Sequence, residues 1–470
     1  MKKIILIAAM AALLSACGGS STEQTPEGSI TPGTGLNNAK SVTGTLYSSS
    51  GDPIPGATVY LPGVIVTKSL DSPTRSFSKT VTGADGTTCE DPLSADGSLV
   101  ATCTAQDGTF SLNTSAIATN PGQIIFAKGS LRMLSPLSCG SETCTLSSSF
   151  TTYGALGSTT TWPKIAVVTG YYDRMEDVLA KIADTNTADE INGQYGRVDS
   201  SSGEFIYGSE YGTNMTIIDG GSYLAPYENI DLVSYRTWED YLNGTYPLLD
   251  GSGKPLFDII FINCGNSNDS MLNSVAIRKV LQDYVAAGGR LYVTDLSYDF
   301  VEQAFPQVMM FENDPIDPLT PGSNGDAENG EGGIHLNATV KNTGMQSWLS
   351  NVTVNSYNGT APGNPDDCTY DVTYSQVTGA LVGGLIPIGD FLPMWTHMTG
   401  AHAGYTPTVW ISSGSVNFDG QLDRPLTISM DMSAGGGRIV YSSYHTADQC
   451  ASLGFWPQER VLQYLIFESF

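Results

Sequence analysis

Three residues with reactive side chains stand where apolar segments of the chain end. Cys264 ends the run FDIIFINC, Asp295 follows RLYVT, and His445 follows GGRIVYSSY. If these segments are strands of one parallel sheet, their carboxyl ends meet in one crevice, which is where open α/β sheets bind ligands. A thiol or a carboxylate beside an imidazole is the combination that nucleophilic catalysis uses. The three residues are therefore candidates for an active site.

Asp295 has more than one role open to it. An aspartate at a strand exit often caps the following helix, here SYDFVEQAF, or shapes the loop. It can also form an ion pair with His445 without chemistry, or act as a covalent nucleophile. The D-x-D-x-T signature of aspartyl-phosphate chemistry is absent from TDLSYDF. We expect the imidazole of His445 to lie within ion-pair reach of Asp295. The negative charge would then raise the pKa of His445 above its usual value of about 6.5.

Cys264 is the alternative nucleophile. A neighbouring imidazole from His445 would favour its thiolate, which is the reactive form. The competing interpretation is a disulfide, because Cys450 lies five residues beyond His445 and could pair with Cys264 or with Cys368. These interpretations stay open at the level of sequence.

A loop rich in carboxylates is a candidate metal site. Carboxylates spread among glycines and prolines of a long loop could bind Ca²⁺, although their spacing does not fit the EF-hand pattern and a solvated acidic loop is the alternative. The candidates are Asp314, Asp317, Asp326, Glu328 and Glu331. His335, His397 and His402 are scattered, and THMTGAH lacks the glutamate of H-E-x-x-H, which argues against a zinc hydrolase.

The elements that would position the candidate active site alternate between strand and helix. PKIAVVTG, MTIIDGG, PLFDIIFIN and RLYVTD read as strands, and YYDRMEDVLAKIAD and SVAIRKVLQDYVAAGG read as amphipathic helices. Two further strands joined by a Gly-rich turn and a final helix, PQERVLQYLIFESF, complete the pattern. The alternation and the continuous apolar strands predict a doubly wound, mainly parallel sheet over 160–470, with an insertion at about 306–400.

The order FDIIFINCG, VAAGGRLYVTD and GGRIVYSSYHT resembles the class I glutamine amidotransferase-like fold, which includes trehalose-utilisation-like proteins, over roughly 160–305 and 405–470. The resemblance implies a flavodoxin-like sheet. It also places the nucleophilic cysteine of those enzymes on Asp295 and its histidine partner on His445. The histidine is present and the cysteine is not, so the amidotransferase reaction is excluded.

An earlier segment contains only strands. GDPIPGATVYLPG predicts a turn and a strand with alternate residues from Ala57 to Leu61 on one face. TAQDGTFSLNTS adds a strand with Phe110 and Leu112 pointing inward, and GQIIFAKG adds another. A small β-sandwich over 41–150 is the fold that this pattern favours.

The sequence motifs V-x-G-x-L, G-x-P-I-P-G-A-x-V-x-L and D-G-x-F-x-L resemble the carboxypeptidase regulatory-like domain, a prealbumin-like sandwich, over 41 to about 130. A long insertion between Pro62 and Thr104 departs from that family. The resemblance implies a spacer or accessory module without a catalytic role, with contact to glycans as the alternative.

The N-terminus reads as an export signal. Lys2 and Lys3 precede an apolar run that is too short to span a membrane and that ends in LSAC. This ending resembles the lipobox of bacterial lipoproteins, which implies acylation of Cys17 and, because Gly18 is not aspartate, the outer membrane. Residues 18–40 are rich in Gly, Ser, Thr and Pro and read as a flexible tether.

The remaining cysteines fit an oxidising compartment. With Cys17 lipidated, seven of the eight cysteines are left, so at least one is unpaired within the chain. Two pairs are close in sequence, which favours local disulfides. They are Cys89 with Cys103, and Cys139 with Cys144. No spacing is C-x-x-C, which argues against zinc and thioredoxin chemistry.

Charge restricts the partners. The formal net charge is −26, and cleavage of the signal removes two lysines and makes it more negative. So acidic a surface repels nucleic acid. The sequence thus predicts a lipid-anchored envelope protein with a non-catalytic binding or structural role, in contact with polysaccharide or another envelope protein. The alternative is an envelope hydrolase that uses Cys264, Asp295 and His445.

Overall fold

The structure is a computed structural model of the chain. The described residues form several β-sheets and few helices, as in a β-rich multidomain protein. They are 32–48, 51–61, 80–90, 100–117, 119–128, 131–147, 159–161, 163–182, 184–187, 190–193, 197–199, 205–206, 215–221, 236–266, 269–311, 336–357, 374–388, 396, 398–415, 421–432, 437–446 and 454–469.

The N-terminal region consists of strands. They are β1 Ser41–Thr45, β2 Thr58–Tyr60, β3 Thr80–Thr82, β4 Thr88–Glu90, β5 Ala101–Cys103, β6 Thr109–Asn113, β7 Gln123–Lys128, β8 Leu131–Pro136, β9 Thr143–Thr145 and β10 Thr159–Thr161. They form a three-stranded sheet in the order β6-β1-β9, a five-stranded sheet in the order β10-β8-β7-β2-β5, and the pair β3-β4. Because β10 pairs with β8, the five-stranded sheet extends past the predicted boundary at 150.

One hydrophobic core lies between the two larger sheets. Val42 and Leu112 of the three-stranded sheet and Val59 of the five-stranded sheet are fully buried in the same cluster. The rings of Phe110 and Phe126 meet edge to face at 5.5 Å across the two sheets. The inward positions predicted for β2 and β6 are therefore confirmed.

Part of the predicted tether is packed against this region. Leu36 and Ala39 are buried, and the backbone N–H of Gly35 donates to the carbonyl of Leu137 at 2.9 Å. The prediction of a flexible tether over 18–40 is thus wrong for residues 32–40, because two apolar side chains find a place in the core. Residues 18–31 lie outside the described part of the chain.

The rest of the chain contains further strands and the described α-helices. The strands are β11 Ile165–Val168, β12 Asp184–Thr187, β13 Glu190–Gly193, β14 Arg197–Asp199, β15 Phe205–Ile206, β16 Met215–Ile218, β17 Ile259–Ile262, β18 Arg290–Thr294, β19 Met309–Phe311, β20 Leu336–Val340, β21 Thr353–Tyr357, β22 Tyr374–Thr378, β23 Leu385–Ile388, β24 Met398–Ala401, β25 Thr408–Ser412, β26 Pro425–Asp431 and β27 Arg438–Ser442. The helices are α1 Met175–Ile182, α2 Trp238–Leu242, α3 Val275–Ala286, α4 Asp299–Glu302, α5 Thr343–Leu349 and α6 Pro457–Ser469.

A nine-stranded sheet organises this region, in the order β16-β11-β17-β18-β27-β26-β25-β20-β23. The first five strands in this order are mutually parallel, and every pairing from β27 to β23 is antiparallel. The sheet is therefore mixed rather than mainly parallel. The edge strand on the antiparallel side, β23, and its neighbour β20 come from the segment 306–400, which the sequence predicts to be an insertion. The smaller sheets are β12-β13-β14-β15, β19-β24 and β21-β22.

The parallel strands are buried on both faces. Ile259 and Phe261 of β17 pack into one hydrophobic cluster, and the alternate residues Ile260 and Ile262 pack into another. Burial of both faces explains why these strands are continuous apolar runs in the sequence. It also makes their rigid carboxyl ends suitable for positioning polar side chains.

Glycines end the helix that precedes β18. Gly288 has a φ of +104°, which favours glycine after a helix. A Cβ on Gly289 would lie 2.4 Å from Cζ of Tyr284, so the chain passes too close to that ring for any larger residue. The Gly-Gly pair thus lets β18 begin directly after α3.

A buried joint connects the N-terminal sheets to the nine-stranded sheet region. Nη1 of Arg460 on α6 lies 2.6 Å from Oδ2 of Asp52, in the turn between β1 and β2, and both side chains are almost fully buried. Nε1 of Trp348 on α5 donates to the carbonyl of Pro53 at 2.7 Å. The two regions are therefore connected by a buried ion pair and a buried hydrogen bond.

Candidate functional site

Three neighbouring strands bring the candidate residues together. β17, β18 and β27 are consecutive in the sheet and parallel, so their carboxyl ends lie at one edge. Cys264, Asp295 and His445 leave the sheet at that edge, and each is fully buried. We call these three side chains the strand-end cluster. The convergence expected from sequence is therefore present.

The cluster is compact. Oδ2 of Asp295 lies 3.1 Å from Nε2 of His445, and Sγ of Cys264 lies 3.6 Å from the same carboxylate oxygen. One ligand atom of each residue lies within 4.8 Å of those of the other two. The ion-pair distance predicted for Asp295 and His445 is confirmed.

Asp295 does not cap a helix. Its Oδ1 accepts a hydrogen bond from the backbone N–H of Thr396 at 2.9 Å, and its Oδ2 faces the cluster. The helical turns that follow have no side-chain capping hydrogen bond. The capping interpretation is wrong because the carboxylate is turned back into the sheet edge. Its φ of +44° produces a tight turn after β18, and the hydroxyl of Tyr441 donates to its carbonyl at 3.1 Å.

Burial holds the Cys264 thiol in its neutral form. Burial, followed by the negative charge of Asp295, raises the pKa of Cys264 to about 12, and the smaller opposing effect of His445 does not compensate. Nucleophilic attack requires the thiolate. Cys264 is a free thiol, so a disulfide from Cys264 to Cys450 is not formed.

The loop after β11 covers the cluster. The ring of Tyr172 stacks on the imidazole of His445 with centroids 6.5 Å apart. The backbone N–H of Tyr172 donates to the carbonyl of Cys264 at 3.1 Å. At Gly170, a Cβ would lie 2.0 Å from the same carbonyl oxygen, so the loop passes directly over the strand ends. Nearby, Oδ2 of Asp173 accepts from the backbone N–H of Thr446 at 3.1 Å. These contacts cover the strand ends at which an open α/β sheet binds ligands, and the three side chains of the cluster have no exposed surface.

Sequence reasoning missed the residues that surround the cluster. Tyr172 and Asp173 follow the end of β11, so the rule that ligand sites lie beyond strand ends could have found them. Glu176 is fully buried and accepts a hydrogen bond from Nδ2 of Asn263 at 2.7 Å. Thr396 carries no sequence signal, because its contribution is a backbone N–H from a distant segment.

The remaining predicted site residues are separate from the cluster or lie outside the described residues. Cys17, Cys368, Cys450, Asp314, Asp317, Asp326, Glu328, Glu331, His335 and His397 lie outside. His402 is described, and its backbone N–H donates to the carbonyl of Val308. Within the described residues, the strand-end cluster is the one group of three or more metal-ligating side chains that could hold an ion. No described helix is long and apolar enough to cross a membrane.

Two disulfides lie in the N-terminal region. Cys89 pairs with Cys103 and Cys139 pairs with Cys144, as their spacing predicts. The first disulfide ties β4 to β5, and the second closes the short loop before β9. Neither contributes to the strand-end cluster.

A groove of about 340 Å³ lies beside the edge strand β23. Val382 and Leu385, which line it, are 63% and 48% exposed. None of the described residues that line the groove has a titratable side chain. Its size is in the range of small-ligand pockets. Its lining is suited to binding a ligand rather than to acid–base catalysis.

The sequence matches no protein-family model and no curated protein.

Proposed function

We propose that this chain is a lipid-anchored protein of the bacterial cell envelope, attached through Cys17 and placed at the outer membrane. Its N-terminal sheets are a carboxypeptidase regulatory-like sandwich that acts as a spacer. Its larger region is an amidotransferase-like α/β domain with a binding or structural role toward envelope polysaccharide or another envelope protein. The buried joint of Asp52 with Arg460 supports the role of the sandwich as a rigid spacer.

One observation carries the non-catalytic part of this proposal. The strand-end cluster has no exposed surface, and the position of the amidotransferase nucleophile holds Asp295. A nucleophile must touch its substrate, and a side chain with no exposed surface does not. The groove beside β23 is a surface on which a ligand could bind without contacting the cluster.

Fractionation of cells tests the anchor. Cys17→Ser should move the protein from the membrane fraction to a soluble or unprocessed form, because the acyl chains supply the attachment. The matched control is Cys264→Ser, which removes a buried free thiol and should leave the protein in the membrane fraction. Mature Cys17→Ser protein that stays in the membrane with acyl chains attached would refute the proposal.

A hydrolase is the second candidate, and the turn at Asp295 favours it. A residue with positive φ directly after a parallel strand has the geometry that lifts a nucleophile above the sheet in α/β hydrolases. His445 at 3.1 Å would supply the base. The test is hydrolysis of p-nitrophenyl esters by wild type, Asp295→Asn and His445→Gln. Our proposal expects equal background rates in all three, and loss of an activity in both variants would establish the hydrolase instead.

A further inference from the structure

We propose that Cys264, Asp295 and His445 form a binding site for a divalent transition-metal ion, and that Zn²⁺ is the ion that fits. This site is independent of the role proposed for the domain. The three donors are a thiol sulfur, a carboxylate oxygen and an imidazole nitrogen, which are the ligands that zinc takes in proteins. Calcium and magnesium prefer oxygen donors alone, so the thiol and the imidazole argue against them.

The distances fit tetrahedral coordination. Zinc bonds of about 2.1 Å to nitrogen or oxygen and about 2.3 Å to sulfur place the donors of a tetrahedral site about 3.4 to 3.6 Å apart. The separation of Sγ of Cys264 from Oδ2 of Asp295 is 3.6 Å. That of Oδ2 from Nε2 of His445 is 3.1 Å. For these two pairs a bound ion requires a shift of a few tenths of an ångström between carboxylate and imidazole, and the third pair, Sγ and an imidazole nitrogen, lies within 4.8 Å.

Charge balance favours a divalent ion at this depth. All three side chains are fully buried, and an uncompensated charge there is costly. A zinc ion bound to one thiolate, one carboxylate and one neutral imidazole has a formal charge of zero. The ion would also hold the Cys264 thiol deprotonated, as metals do with coordinating thiols. A neutral complex can remain buried without a further charged partner, and a neutral water in the fourth position leaves its charge unchanged.

The surroundings orient the donors as an outer shell of a metal site does. The N–H of Thr396 binds Oδ1 of Asp295, which leaves Oδ2 directed at the other two donors. The backbone N–H of Cys264 donates to Oγ1 of Thr294 at 3.1 Å, and this hydrogen bond fixes the backbone of the residue that carries the thiol. Nε2 of Gln458 donates to the carbonyl of His445 at 2.8 Å. Three protein ligands leave a fourth position for water or another small ligand.

The test uses the full chain, expressed in medium supplemented with Zn²⁺ and dialysed before its metal content is measured by mass spectrometry. We expect about one zinc per chain in wild type. Cys264→Ser and His445→Gln should each retain at least tenfold less. His402→Gln is the matched control, because it removes a described histidine outside the cluster, and it should retain the wild-type content.

Cobalt distinguishes this site from adventitious binding elsewhere. Wild type loaded with Co²⁺ should show thiolate-to-cobalt charge-transfer absorption, and Cys264→Ser should lack it. Only variants with the circular dichroism and cooperative unfolding of wild type are compared. If Cys264→Ser does not fold, the Asp295→Asn variant and the cobalt spectrum of wild type decide. Folded wild type that retains no zinc, or cluster variants that retain as much as wild type, would overturn the proposal.

Discussion

The carboxylate of Asp295 faces the imidazole of His445 across 3.1 Å, at the ends of two adjacent parallel strands. Both side chains are fully buried. Parallel pairing in register places the ends of β18 and β27 at one level, and this alone brings together two residues that are distant in sequence. The electrostatic consequences of this pair can be measured.

In the metal-free protein, Asp295→Asn should lower the pH at which the His445 imidazole titrates. A carboxylate at ion-pair distance stabilises the protonated imidazole, and an amide does not. Proton NMR of the histidine ring signals measures the two midpoints. The ring signals of His402, which lies outside the cluster, serve as the internal control. Equal midpoints for His445 in the two proteins would show that the residues do not interact.

Asp52→Asn should lower the free energy of unfolding by about 3 kcal/mol, because it leaves the guanidinium of Arg460 buried without its charge partner. Chemical denaturation followed by circular dichroism measures the change. The control is Lys279→Met, which breaks the exposed ion pair of α3 with Asp283 and should cost at most about 0.5 kcal/mol.

The double variant Asp52→Asn/Arg460→Met sharpens this test. If the penalty comes from an unpaired buried charge, removing both charges should restore part of the stability lost in the single variant. Equal losses in the single and double variants would mean that the penalty does not come from an unpaired guanidinium of Arg460.

The metal-free protein should lose stability as the pH rises from about 9 to about 12. Burial raises the pKa of the Cys264 thiol from 9.0 to about 12. As the pH rises, the thiol therefore ionises in the unfolded chain before it ionises in the folded chain, and this ionisation stabilises the unfolded chain relative to the folded chain. The thiol contributes a loss of about 1 kcal/mol per pH unit within that window and nothing below it.

Cys264→Ala isolates this effect. Its free energy of unfolding should fall less steeply than that of wild type between pH 9 and pH 10, and buried tyrosines such as Tyr444 do not affect this comparison because both proteins contain them. Denaturation at a series of pH values gives the two slopes. Parallel slopes for wild type and variant would show that the thiol does not titrate differently in the folded state.

The elements around the cluster could be predicted because their sequence signals are local. Buried runs such as IIFI and RLYVT read directly as strands, and the glycines at 288 and 289 mark the turn between α3 and β18. Parallel strand ends then made the convergence of Asp295 and His445 predictable. The cluster could be predicted from the sequence only because parallel strands end at one edge of a sheet.

The antiparallel half of the nine-stranded sheet was not predictable in the same way. β20 and β23 lie within a long polar segment, and their place in the sheet depends on pairing with distant β25 rather than on a local pattern. The closure of the crevice was also missed. It depends on the backbone N–H of Thr396, which has no sequence signal, and on the ring of Tyr172, whose position beyond the end of β11 does not show that its ring stacks on His445.

Alkylation of Cys264 in the native, metal-free protein tests the closed cluster most directly. Iodoacetamide is added at pH 8 with and without denaturant, and peptide mapping by mass spectrometry follows the Cys264 peptide by itself. Because the thiol is buried and its pKa is about 12, we expect labelling in the native protein to be roughly a thousandfold slower than in the unfolded chain. Native labelling within tenfold of the denatured rate would contradict the account, since it would mean an open crevice with a reactive thiol.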